Sequence, residues 1–167
     1  MKWTKHLTEI KKLNPYCIKA SFHFKNAILS IWIVYIPPND SKKQKEIQQI
    51  ITKDIIDKRK NEHFIVGGDF NRILDPILDR KGKTTPCTKK NLAVLTWLSK
   101  VGFIETYRAC NPQGGKFTWK NSRTQTRIDQ IWISKDLKLG LYRSDIEDME
   151  TYTDSDHNFI LAQLNWN

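Results

Sequence analysis

Residues 66–75 read VGGDFNRILD. The residues leading into them, Phe64–Val66, are apolar and suited to a short buried strand, yet two glycines, an aspartate and an asparagine follow at once. Gly, Asp and Asn together are the composition of a turn, because Asp and Asn bond their own backbone and glycine admits unusual φ angles. A carboxylate and a carboxamide two residues apart at a strand end are equally the composition of a rigidly held site. Both readings stay open until the rest of the chain is placed around them.

On the N-terminal side, apolar Trp3, Leu7, Ile10 and Leu13 recur at helical spacing and predict a helix. From Tyr16 to Phe24 the period changes to two: Tyr16, Ile18, Ala20, Phe22 and Phe24 share one face and Cys17, Lys19, Ser21 and His23 the other, as in a half-buried strand. Ile28–Ile36 (ILSIWIVYI) is almost continuously apolar, which predicts a strand covered on both faces and ending at Pro37. Ser41 and Gln44 fit a capping box, and Ile47, Ile50, Ile51 and Ile55 predict an amphipathic helix to about residue 60.

On the C-terminal side, a charged loop to about residue 87 precedes a helix with Leu92, Leu95 and Leu98 on its buried side and Gly102 after its end. Short strands near Phe103, Phe117, Ile128–Ile133 and Phe159–Leu164 complete an interleaved α/β pattern. The length of 167 residues suits a single domain over 1–167, and no repeat or linker interrupts it.

A net charge of +10 favours polyanionic partners. Three widely spaced cysteines form neither a disulfide framework nor a zinc ribbon, which agrees with an intracellular setting; a nuclear one is compatible, with no targeting signal to mark it. No apolar run is long enough for a membrane span, and nothing points to a protein partner.

Strand ends elsewhere repeat the pattern of Asp69 and Asn71. Tyr35 precedes the prolines, Asp129 opens a strand in RIDQIWIS, and Asp156 with His157 precede another in SDHNFI. Each has a plain structural reading: Asp129 paired with Arg127 on an edge strand, His157 at the surface or in a cap. As one set they fit phosphodiester hydrolysis, which needs a base or orienting group for water and cations or donors to offset charge on the phosphate. Lys116, Phe117, Trp119, Lys120, Arg123 and Arg127 place cations beside aromatics, a candidate nucleic-acid contact, although Phe117 and Trp119 would serve equally as core.

The ordered series VYIPPN, GDFN, FTW, RIDQI and SDH resembles the endonuclease/exonuclease/phosphatase superfamily, which includes deoxyribonuclease I, apurinic/apyrimidinic endonucleases and the endonuclease domains of LINE-type retroelements; the last two are the most alike. The resemblance runs from about Trp3 to the C-terminus. It implies a deoxyribonuclease I-like α/β fold, an incomplete four-layer αββα sandwich of two packed mixed sheets flanked by helices. It implies that Asp69 manages the attacking water, that Asn71 and Tyr35 contact the scissile phosphate, and that Asp129 pairs with His157. Asp156 is implied in the metal environment, Mg2+ or Mn2+, and Thr118 and Trp119 near the DNA backbone.

One departure accompanies the match. The family's early asparagine strand and the glutamate that is its principal metal ligand have no counterpart here, and Glu9, Glu46 and Glu62 fall on predicted helices. The expectation is therefore a domain lacking its N-terminal part, with an uncovered strand prone to self-association and doubtful hydrolysis. The alternatives to a retroelement-derived DNA endonuclease are a catalytically inactive nucleic-acid-binding remnant and a phosphatase of small phosphorylated substrates.

Overall fold

The computed structural model describes residues 3–82, 93–149 and 154–165; Lys83, Cys87 and Leu92 lie outside them. Strands β1 (Leu7–Asn14), β2 (Cys17–His23), β3 (Ile28–Tyr35) and β4 (Glu62–Asp69) are followed by β5 (Arg80–Gly82), β6 (Ile104–Glu105), β7 (Trp119–Lys120) and β8 (Thr124–Thr126). The chain then forms β9 (Asp129–Ile133), β10 (Leu141–Glu147) and β11 (Phe159–Leu164). Helices are α1 (Ser41–Ile56), α2 (Ala93–Lys100) and the short α3 (Thr106–Cys110). A six-stranded mixed sheet has the order β1-β2-β3-β4-β9-β6, with smaller sheets β10-β11 and β5-β8-β7. This is the expected α/β class.

β3 and β4 are the parallel pair of the large sheet, and parallel neighbours require a crossover. α1 supplies it and buries Ile47, Ile51 and Ile55 against one sheet face, together with Val94, Leu95 and Leu98 of α2. The α1 cap is Asp40, whose side chain accepts from Lys43 N–H, rather than Ser41; Gln44 instead donates to the carbonyls of Pro37 and Pro38. On the other face Leu29, Ile133 and Leu137 form a second core with Ile31, Ile65 and Leu164.

Several expectations are corrected. Trp3–Leu13 is not a helix: Thr4–His6 is a 3-10 turn, and β1 forms a hairpin with β2 from Leu7↔Phe22 to Asn14↔Cys17. Ile10 and Leu13 are exposed, so a helix there would have no core to pack on, whereas strand pairing satisfies the backbone. Asn14 shapes the turn by accepting from Tyr16 N–H. In β2 the deeper face is the polar one: Cys17, Lys19 and Ser21 are buried while Ile18 is exposed. Lys19 is accommodated because Asp54 lies 2.7 Å away and Glu62 3.6 Å away. Glu9 lies on β1 and Glu62 at the start of β4, neither on a helix. β10 and the β5-β8-β7 sheet carry too little apolar alternation to be read locally.

β3 is covered on both faces only in part. Ile33 is 55% exposed, Ile18 beside it is exposed, and β11 (FILAQL) has no buried residue and pairs with β10 alone among the described residues. The edge strand β1 carries Glu9, Lys11 and Lys12; Lys12 lies opposite Ile18 and is, among the described residues, the one charge beside an otherwise apolar Ile18–Ile33 pair. The protein is expected to self-associate through this face. Sedimentation over a concentration series should show it, and Ile33→Lys should raise the monomer fraction several-fold; a wild type that stays monomeric throughout sinks the expectation.

Candidate active site

β4 does not stop at Val66 but continues through both glycines to Asp69. Gly68 has φ +141°, and a Cβ there would lie 1.9 Å from the Val34 carbonyl oxygen. Only glycine lets β3 and β4 stay in register at this point. That register aligns Tyr35 with Asp69, and the antiparallel partner β9 aligns Asp69 with Asp129. Three of the candidate residues thus form one row across three adjacent strands at one end of the sheet.

The chain turns after Phe70 through Asn71, whose φ of 49° is the left-handed conformation that Asn tolerates. Asn71 N–H donates to Asp69 Oδ1 at 2.7 Å, and Asn71 Nδ2 donates to Asp69 Oδ2 at 3.1 Å and to the Ile36 carbonyl at 3.0 Å. GDFN is therefore both a turn and a holder of its own carboxylate. Burial pushes the Asp69 carboxyl above its usual range; the Asn71 backbone bond opposes this, Asp129 adds to it and His157 counters it.

His157 reaches the row from the segment before β11, with Nδ1 2.9 Å from Asp129 Oδ2. That bond leaves Nε2 as the ring nitrogen available to a substrate. The segment is held by β7: Trp119 bridges to His157, the Thr118 carbonyl accepts from Asn158 N–H at 2.6 Å, and Lys120 N–H donates to the Asp156 carbonyl. Asp156 is exposed, and its Oδ2 accepts from Trp119 Nε1 at 2.6 Å.

Two predicted nucleic-acid contacts are corrected. Thr118 is fully buried, and its hydroxyl accepts from the N–H groups of Ile128 and Asp129 at 3.1 and 2.9 Å. Arg127 is 1% exposed and pairs with Asp79 and Glu105, not with Asp129. Both belong to the scaffold under the row, because each closes a backbone or charge requirement that water cannot reach. Lys116 and Lys120 lie nearer the surface, paired with Asp145 and Asp148, and Arg123 is exposed at the β7–β8 turn. Gln130 was not anticipated: its Nε2 donates to the Arg72 carbonyl, tying β9 to the turn after Asn71, and no local sequence signal marks it.

Among the described residues no three His, Cys, Asp or Glu side chains gather as a metal site. Each Asp69 oxygen accepts one bond from Asn71 and Asp156 Oδ2 accepts one from Trp119, which leaves acceptor sites on both carboxylates, but among the described residues no third carboxylate or imidazole joins them to complete the ligand set that the resemblance implies.

A mixed sheet with helices on one face and a second sheet, ending in this row and its Asp–His pair, defines a protein of the endonuclease/exonuclease/phosphatase superfamily with a deoxyribonuclease I-like fold. A family model described as "Endonuclease-reverse transcriptase" matches residues 29–161, and the chain belongs to that family. Among solved structures it is similar to a 3'-5' exonuclease (NExo) from Neisseria meningitidis at 16% identity and a TM-score of 0.75, over 96% of this chain and 72% of that one. An AP endonuclease from Archaeoglobus fulgidus gives 16% identity and 0.71 over the same shares, 96% and 72%. The endonuclease domain of TRAS1, a telomere-specific non-LTR retrotransposon, gives 15% and 0.66 over 90% and 64%. No curated protein sequence matches the chain.

The raised Asp69 carboxyl has a signed consequence. The folded state holds that proton above the ordinary value of 3.8, so the Asp69 contribution to stability falls as pH rises through the interval between 3.8 and the folded value. Asp69→Asn lacks this titration. Urea melts across acid to neutral pH should show the stability difference, wild type minus Asp69→Asn, shrinking as pH rises; a difference constant with pH overturns the reading. Gly68→Ala should lower stability by about 3 kcal/mol through the clash with Val34 and the φ requirement, measured in the same melts.

Proposed function

We propose that the protein cleaves phosphodiester bonds in DNA as an endonuclease of retroelement origin. The observation that carries this reading is the row Tyr35–Asp69–Asp129 with His157 bonded to its end. Membership of a family described by endonuclease and reverse transcriptase supports it, as does likeness to NExo, which has been captured with a product DNA hairpin. The charge of +10 suits a phosphate backbone.

In this reading Asp69 orients water at the phosphorus and takes its proton, and a carboxyl raised by burial is the better base for it. The new bond runs from water oxygen to phosphorus and the bond to the leaving sugar oxygen breaks, with solvent supplying the proton to the leaving group. Asp129 fixes the His157 ring so that Nε2 faces the phosphate, where a protonated imidazole offsets the charge gathering on its oxygens. Tyr35, 45% exposed, lies on the row as a phosphate contact, and Trp119, Lys120 and Arg123 flank it as backbone contacts.

One observation favours a second reading, a nucleic-acid-binding protein without hydrolysis: the described residues do not complete a metal site. Nicking of supercoiled plasmid in Mg2+ or Mn2+, with EDTA controls, separates the two. The proposed function expects nicking that EDTA abolishes and that His157→Ala lowers by about 100-fold or more. Salt-dependent DNA binding with no nicking in either metal rejects hydrolysis by this chain and leaves the binding reading. Phosphate release from an inositol phosphate in place of plasmid nicking would move the substrate class to small phosphorylated molecules.

A further inference from the structure

The Tyr35–Asp69–Asp129 row contains a conflict that its own residues do not resolve. Asp69 and Asp129 are direct cross-strand partners, and like charges placed opposite each other repel. Asn71 satisfies Asp69 and His157 satisfies Asp129, but neither determines where the β9 backbone begins. The Thr118 hydroxyl holds the backbone at Ile128 and Asp129 from one side, and the start of β9 is held from outside the row on the other.

Two residues before Asp129, Arg127 carries a guanidinium used in three directions. Nε donates to Asp79 Oδ1 at 3.0 Å, Nη2 lies 2.9 Å from the same oxygen, Nη1 forms an ion pair with Glu105 Oε2 at 2.9 Å without hydrogen-bond geometry, and the Tyr107 ring centroid lies 5.3 Å from Cζ. Arg127 N–H also donates to the Asp79 carbonyl. Asp79 in turn accepts from Arg108 Nη2 at 2.6 Å and, through Oδ2, from Asp75 N–H at 3.0 Å. Glu105 accepts from the first N–H groups of α3, at Tyr107 and Arg108.

This buried cluster of two arginines and two carboxylates joins three segments: the chain that leaves Asn71 and runs to Asp79, the start of β9, and the β6–α3 junction. Between the cluster and the row, Phe70 N–H donates to the Ile128 carbonyl and Gln130 Nε2 to the Arg72 carbonyl, which ties the residues on either side of Asn71 to those on either side of Asp129. Buried ion pairs add little net stability over apolar packing of the same volume, because desolvating the charges offsets their attraction. The hydrogen bonds that Asp79 and Glu105 accept are directional, however, and specify one geometry.

We propose that Arg127, Asp79 and Glu105 are positioning residues for the candidate active site, holding Asp129, and through it His157, in register with Asp69 against their mutual repulsion. This rests on the proposed phosphodiester hydrolysis for its catalytic consequence but not for its geometry.

Asp79→Asn and Glu105→Gln keep side-chain volume and test it with two measurements, hydrogen exchange and plasmid nicking. Amide exchange of Phe70, Ile128 and Asp129 is expected to quicken at least ~10-fold relative to amides of β2 and β3, with cooperative melting retained. In nicking assays kcat is expected to fall by about 10- to 100-fold with KM and DNA affinity within about twofold. Exchange that quickens equally in β2 and β3 makes the cluster merely structural and overturns the proposal, as does an unchanged kcat in a nicking enzyme. If the wild type does not nick, the hydrolysis reading fails while the exchange measurement still decides the positioning. If one variant does not fold, the other carries the test.

Discussion

The register of β4 between a parallel and an antiparallel neighbour is the constraint on which the rest of the candidate site depends. β3 and β4 lie so close at Val34 and Gly68 that no side chain fits between them, and this close approach brings Tyr35 level with Asp69. A slip of one residue would turn every side chain of β4 to the opposite face and bury Asp69 among the apolar residues under α1. The glycine, the helical crossover and the antiparallel return of β9 are three parts of one solution.

Around that register the protein uses polar groups where an apolar core would be simpler. Lys19, Asp54, Glu62 and Ser30 fill the space under the C-terminal half of α1, with Trp32 Nε1 donating to Asp54. Arg127, Asp79, Arg108 and Glu105 fill the space behind the row. Such clusters tolerate little rearrangement, because losing one member leaves a charge buried without its partner. They flank the large sheet at both ends of β4, one beside Glu62 and one near Asp69.

The two faces of the sheet have different fates. Under α1 and α2 the core is continuous from Cys17 to Trp132. On the opposite face β10-β11 covers the β9 side, while Ile18, Ile33 and Tyr35 remain open. The candidate site lies at the border of the covered and open halves, with Tyr35 on its open side.

Local composition by itself determined the strands and helices with strong periodicity: Ile28–Tyr35, the α1 repeat of Ile47, Ile51 and Ile55, and the apolar run of Phe159–Leu164. The ordered polar motifs also marked Tyr35, Asp69, Asn71, Asp129 and His157 as one set, because short-range chemistry at strand ends is written in adjacent residues. Only the tertiary structure decided what long-range pairing controls. Leu7–Asn14 became a strand because β2 was there to bond it, and Arg127 moved from an apparent DNA contact to the interior because Asp79 and Glu105, distant in sequence, converge on it. An arginine's ion pairs and a strand's partner are found across space, and neighbouring residues carry no record of them.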